Sequence, residues 1–226
     1  MSSTKVKVAT KQRERNLIAL VALVALSSFS ITAKADLILD TGLVGGSGDV
    51  QNVLFNDFFG QQGTTVSGNL NQTGEQVDFS GNEDFITPAG GQARIEAVDE
   101  AFDFITIMFN DPSIGFNTIQ FNIDAMADGL VDITLVDQFG TNFDFLGLGL
   151  DGSGQNFFTG QGINGQVIVK AIISTTVSMT AISDLQQVRL GPTDIPPVSV
   201  PEPGTLMLLG FGLVGMGIAR RRRICK

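Results

Sequence analysis

Carboxylates are the side chains in this sequence best placed for acid–base work. Glu83-Asp84 and Asp99-Glu100 are adjacent pairs, and Asp103 follows closely. Two carboxyl groups held about 5–10 Å apart are the machinery of glycoside hydrolysis. The same oxygens suit a hard cation with about six to eight oxygen ligands, which makes a structural Ca²⁺ the favoured cofactor. Gly46–Asp49, Gly81–Asp84 and Asp99–Asp103 are the candidate loops, but no D-x-D-x-D-G spacing occurs and no ligands are assigned. Histidine is absent, which excludes an imidazole base, a His-containing triad and His-ligated metal. The lone Cys225 excludes an internal disulfide and a thiolate zinc cluster. Gly147–Gly152 and Gly210–Gly215 both fit G-x-G-x-x-G. The first opens onto Ser-Gly-Gln-Asn and the second lies in an apolar tail, so neither has the strand–helix context of a dinucleotide site. Trp and Tyr are missing, leaving Phe as the only strong stacking ring. That weighs against a sugar hydrolase or an aromatic-platform lectin, and no enzyme is expected. Asn71-Gln72-Thr73 fits the glycosylation sequon and carries little weight.

The elements that must position these residues read as strands. Short apolar alternations recur at Asn52–Phe55, Gln76–Phe79, Arg94–Val98, Phe102–Phe109, Phe116–Ile123, Leu130–Val136 and Asn142–Leu148. They continue at Gln166–Ile173, Thr176–Ile182 and Leu185–Leu190, separated throughout by Gly, Asn, Asp and Ser. Period-2 polarity with Phe and β-branched enrichment favours strands over helices. About ten antiparallel strands without helical crossovers predict an all-β sandwich, of jelly-roll type, over residues 36–190. Its phenylalanines are expected on the inner faces.

Charge is segregated along the chain. Residues 1–35 hold six bases and one acid, residues 36–200 hold three bases and 21 acids, and the last 26 residues hold five bases and one acid. The acidic body, in a chain of net charge −9, argues against nucleic acid as a partner. Before it, a cationic stretch precedes Leu17–Leu26 (LIALVALVAL), and Ser27–Ala35 ends in Ala33-Lys34-Ala35. Positive region, short apolar run and small-x-small site make residues 1–35 a secretory signal peptide, with the translocon and signal peptidase as partners. Cleavage is expected after Ala35, the alternative being an uncleaved anchor.

Residues 191–200 hold three prolines and are expected to form an extended linker. Pro201-Glu202-Pro203-Gly204 follows, then the apolar segment 205–219 (TLMLLGFGLVGMGIA), then Arg220-Arg221-Arg222-Arg223. Fifteen helical residues span about 22 Å, short of a hydrocarbon core of about 30 Å. The tail is therefore a weak transmembrane anchor, and its arginines stay cytoplasmic by the positive-inside rule. The body then lies outside the inner membrane.

A Pro-Glu-Pro tripeptide, a glycine-bearing apolar segment and a terminal Arg cluster closely resemble the PEP-CTERM sorting signal of Gram-negative bacteria. The resemblance implies that residues 201–226 are a substrate of exosortase, cut near Pro203 and associated with exopolysaccharide or biofilm. An ordinary C-terminal anchor is the alternative. Cys225 would fall in the discarded part. A second resemblance is narrower: Gly154-Gln155-Asn156-Phe157-Phe158-Thr159 through Ile182–Leu190 is similar to the last strands of lectin-like sandwich modules. It implies that Asp184 and Arg189 are a structural pair or turn residues, with a binding role as the lesser alternative. The expected function is a non-enzymatic surface or matrix protein, followed by a Ca²⁺-assisted carbohydrate-binding module and then by a surface glycoside hydrolase.

Overall fold

The structure is a computed structural model describing residues 36–43, 50–92, 94–175 and 182–197. Among these residues there are twelve strands and no helix. They are β1 (Leu37–Thr41), β2 (Gln51–Leu54), β3 (Gln62–Leu70), β4 (Gln76–Ile86), β5 (Ile95–Ala97), β6 (Phe104–Phe109), β7 (Ile114–Ala125), β8 (Gly129–Asp137), β9 (Asn142–Leu150), β10 (Asn156–Gly162), β11 (Ile168–Thr175) and β12 (Ile182–Asp194). Every pairing between them is antiparallel.

Hydrogen bonding runs β1-β10-β7-β12-β2-β3-β4-β6-β11-β8-β9, with β5 bridging β12 and β4. The sheet curls until Ile168 at the start of β11 pairs with Phe116 of β7. Seven strands, from β7 through β12, β2, β3, β4 and β6 to β11, thus close around one interior. The pairs β10–β1 and β8–β9 continue outward from it. The result is an all-β architecture between a flattened barrel and a sandwich.

Alternation puts the apolar residues inside. In β6 every second residue (Ile105, Ile107, Phe109) is buried, and β8 does the same with Val131, Ile133 and Leu135. Eight phenylalanines (55, 79, 85, 102, 109, 116, 121 and 158) are almost fully buried, as expected for inner-face packing. Phe85 meets Phe102 edge to face with ring centroids 5.2 Å apart, and Phe121 lies 5.7 Å from Phe158.

Three differences from the sequence reading have local causes. β3 (QGTTVSGNL) carries too few apolar residues to signal a strand, yet Val66 and Leu70 face the core. β4 runs on through Gly81–Asp84, which is strand rather than loop. β12 extends to Asp194, so residues 191–194 belong to the body and not to the proline-rich linker. Pro192 is tolerated because the register slips between Gly191 and Pro192, where a missing N–H costs no regular ladder bond. Beyond it Thr193 and Asp194 pair with Gly115 and Ile114. Of the expected strand Thr176–Ile182, residues 176–181 lie outside the described residues, and Ile182 opens β12.

Candidate functional site

The predicted acids divide into two groups. Glu83 on β4 comes together with Asp99, in the turn after β5, and with Asp103, just before β6. Partial burial pushes the Glu83 carboxyl above its ordinary range, and the charges of Asp99 and then Asp103 push it the same way. Asn82 Nδ2 lies 3.5 Å from Asp103 Oδ1. Asp84 and Glu100 are exposed, Glu100 with a left-handed φ of 86°. Among the described residues no group of three or more acids is arranged to hold a metal ion. Residues 46–49 of the first candidate loop lie outside them. Of the two glycine motifs, Gly147–Gly152 spans the end of β9 and a turn into β10, with no helix for a phosphate to cap.

A second arrangement was not visible from the sequence. The outward face of β10-β7-β12 and its neighbours carries aligned polar rows. Gln161 pairs with Thr118 in the first. Thr159, Gln120, Arg189 and Asn52 form the next, then Phe157, Asn122 and Gln186, then Asp124, Asp184 and Glu96. Inward residues alternate with these, Ile119, Phe121 and Ile123 on β7 and Leu185 and Leu190 on β12. Thr118, Gln120, Asn122, Thr159 and Asp184 are nonetheless all buried.

Asn52 Oδ1 accepts from both Gln92 Nε2 and Arg189 Nε at 3.0 Å. Arg94 donates through Nε to Glu96 Oε1 at 2.5 Å and reaches Asp184 Oδ2 with Nη1 at 3.5 Å. The expected Asp184–Arg189 pair is replaced by two others, Asp184 with Arg94 just before β5 and Arg189 with Asn52 on β2. Burial pushes the Asp184 carboxyl up, opposed by a hydrogen bond from Gln186 and by Arg94, and reinforced by Asp124 and Glu96. Asn122 is 1% exposed, and its Oδ1 has no hydrogen-bond partner. A buried acceptor left without a donor costs about 1–3 kcal/mol. At one end the face opens into a cleft of about 320 Å³ lined by Pro88, Ala89, Gly90, Gln92, Arg94, Gln186 and Gln187. The β12 bulge between Gln186 and Arg189 forms one wall, and Gln187 there holds a left-handed φ of 52°. Amide, guanidinium and carboxyl groups at fixed spacing can donate to and accept from hydroxyl groups.

The fold therefore defines an antiparallel β-sandwich-like body with a polar outer face. Towards the C-terminus, residues 199–223 match the model of the PEP-CTERM protein-sorting motif. That match covers Pro201, Glu202, Pro203 and Arg220–Arg223, which lie outside the described residues, as do Ala33 and Ala35. No curated protein matches the chain. Among solved structures, a family 29 carbohydrate-binding module from Piromyces equi is similar at 12% identity over 71% of this chain and 92% of that one, with a TM-score of 0.30.

Proposed function

We propose that the chain is an exported, non-enzymatic surface or matrix protein whose reactive segment is its tail. Residues 1–35 serve as signal peptide, residues 205–219 park the body briefly at the inner membrane, and exosortase cuts near Pro203. The body, in this reading a jelly-roll of lectin-like type, then joins the exopolysaccharide. The observation that carries the proposal is the sorting-motif match at residues 199–223. The separation of an acidic body from two basic ends supports it. Intact mass of the exported product is the test. A species running from Asp36 to near Pro203 is expected, and retention of the Arg220–Arg223 cluster would defeat the sorting claim.

The polar outer face favours one second reading, a carbohydrate-binding module. Its support is the row Phe157-Asn122-Gln186, where one ring adjoins a buried acceptor and an amide. Polysaccharide pull-down with Gln186→Ala, part-exposed in that row and on the wall of the cleft, should lose binding without loss of fold, and chelator separates a Ca²⁺-assisted mode from a direct one. Unchanged retention by the variant would remove this face from consideration.

A further inference from the structure

A strand at the end of a sheet presents unpaired N–H and C=O groups, and natural proteins blunt such edges with Lys, Pro or a covering element. Among the described residues β9 pairs with β8 alone and ends the sheet. Its nine residues, NFDFLGLGL, contain no Lys, Arg or Pro and one acid, Asp144, which accepts a 2.7 Å bond from Thr134 within its own sheet. Leu146 is 68% exposed on it, and Phe143, Phe145 and Leu148 are only partly covered by the core they pack against. The edge is apolar and long, interrupted at the register shift where Gly147 takes a left-handed φ of 66° and donates its N–H to Asp132 Oδ1 at 2.7 Å.

We propose that β9 is a self-association edge, where two copies of this chain pair β9 with β9, antiparallel about a two-fold axis. The sequence of the strand specifies that partner. Phe143, Phe145, Leu148 and Leu150 face inward, and the register shift opposite β8 places Leu146 and Gly147 at a bulge. An axis passing between Leu146 and Gly147 keeps every pair on its own face. It sets Phe145 against the second copy's Leu148, Phe143 against its Leu150 and Asp144 against its Gly149. Aromatic–aliphatic cross-strand pairs stabilise a ladder by about 0.2–1 kcal/mol each. A Cβ at Gly147 or Gly149 would meet nothing within 4 Å, so Leu146 and Asp144 of the other copy have room. The two Asp144 carboxylates end up five residues apart along the strand, about 17 Å at 3.4 Å per residue, beyond the screening length at physiological salt. This is an isologous contact, and one strand pair is small for an interface, so the dimer is weak and concentration-dependent.

Sedimentation of the full chain in detergent tests the proposal. A concentration-dependent dimer is expected, with association weakened about tenfold or more by Leu146→Lys, which places a gatekeeping charge at the axis. Circular dichroism checks that the variant keeps its fold, as an exposed position allows. In a Cys225→Ser background, mild oxidation of Leu146→Cys should give a covalent dimer, and Leu130→Cys, exposed one strand further in, should give none. A monomer at every concentration, a dimer indifferent to Leu146→Lys, or equal cross-linking at both positions would each overturn it. Dimerisation through the tail falls under the second of these outcomes.

Discussion

Single side chains in this body act mostly as fasteners. Asp78 Oδ1 accepts from Ser67 Oγ at 2.7 Å and Gln76 Nε2 at 2.9 Å, and Oδ2 accepts from Asn110 Nδ2 at 2.8 Å. Partial burial raises this carboxyl, but the bonds from Asn110, Gln76 and Ser67 outweigh it, and the net position is below the ordinary 3.8. The resulting stability is present above that value and is lost as pH falls through the depressed one. Glu83 and Asp184 behave oppositely: raised, they cost stability at neutral pH, and the cost lifts as they protonate on acidification. Asp78→Ala should lower unfolding free energy by about 1–3 kcal/mol at pH 7, measured by urea titration, and should flatten the decline in acid. An unchanged midpoint would mean that Asn110 and Gln76 are equally well hydrated without it. The residues carrying this network are ordinary in sequence, since Ser67, Asp78 and Asn110 sit on three separate segments. Their meeting depends on the β3–β4–β6 register.

At the scale of elements, legibility followed side-chain contrast. β6 and β8 alternate apolar with polar residues and announce themselves, as do β9 and most of β7. β3 and the second half of β4 do not, because Gly, Thr, Asn and Glu fill their outward positions and two or three inward residues decide the pairing. The outer polar face was illegible for a different reason: its rows draw on β10, β7, β12, β2 and β5, which are scattered along the sequence. Gln120 and Asn122, taken alone, look like solvent-facing residues between Ile119, Phe121 and Ile123. The elements are joined by ring contacts, and Phe85→Ala should expose how strongly. That substitution removes the edge-to-face partner of Phe102 at the β4–β6 boundary and should cost about 3–5 kcal/mol. Thermal unfolding measures it, and a loss under 1 kcal/mol would mean the site collapses to fill the gap.

For the whole molecule, the proposed function divides the labour between a folded acidic body and signals at its two ends. The acids of the body, 21 against three bases over residues 36–200, keep copies apart in dilute buffer, so any assembly should tighten as salt rises. The extent of β12 has a further consequence for the sorting step. Because the strand stays in the sheet to Asp194 and the matched motif begins at residue 199, only residues 195–198 join the two. In the proposed sorting step, however, the ten residues 195–204 separate the sheet from the apolar segment that begins at residue 205, roughly 33–36 Å fully stretched. Under that proposal the body is held within this reach of the bilayer, which bounds the clearance of a processing enzyme. Deleting Pro196-Pro197 should slow release of the exported form, and a ten-residue Gly-Ser insertion there should leave it unimpaired, both followed by intact mass over time. Equal release rates from the two variants would mean that clearance at the bilayer does not limit processing.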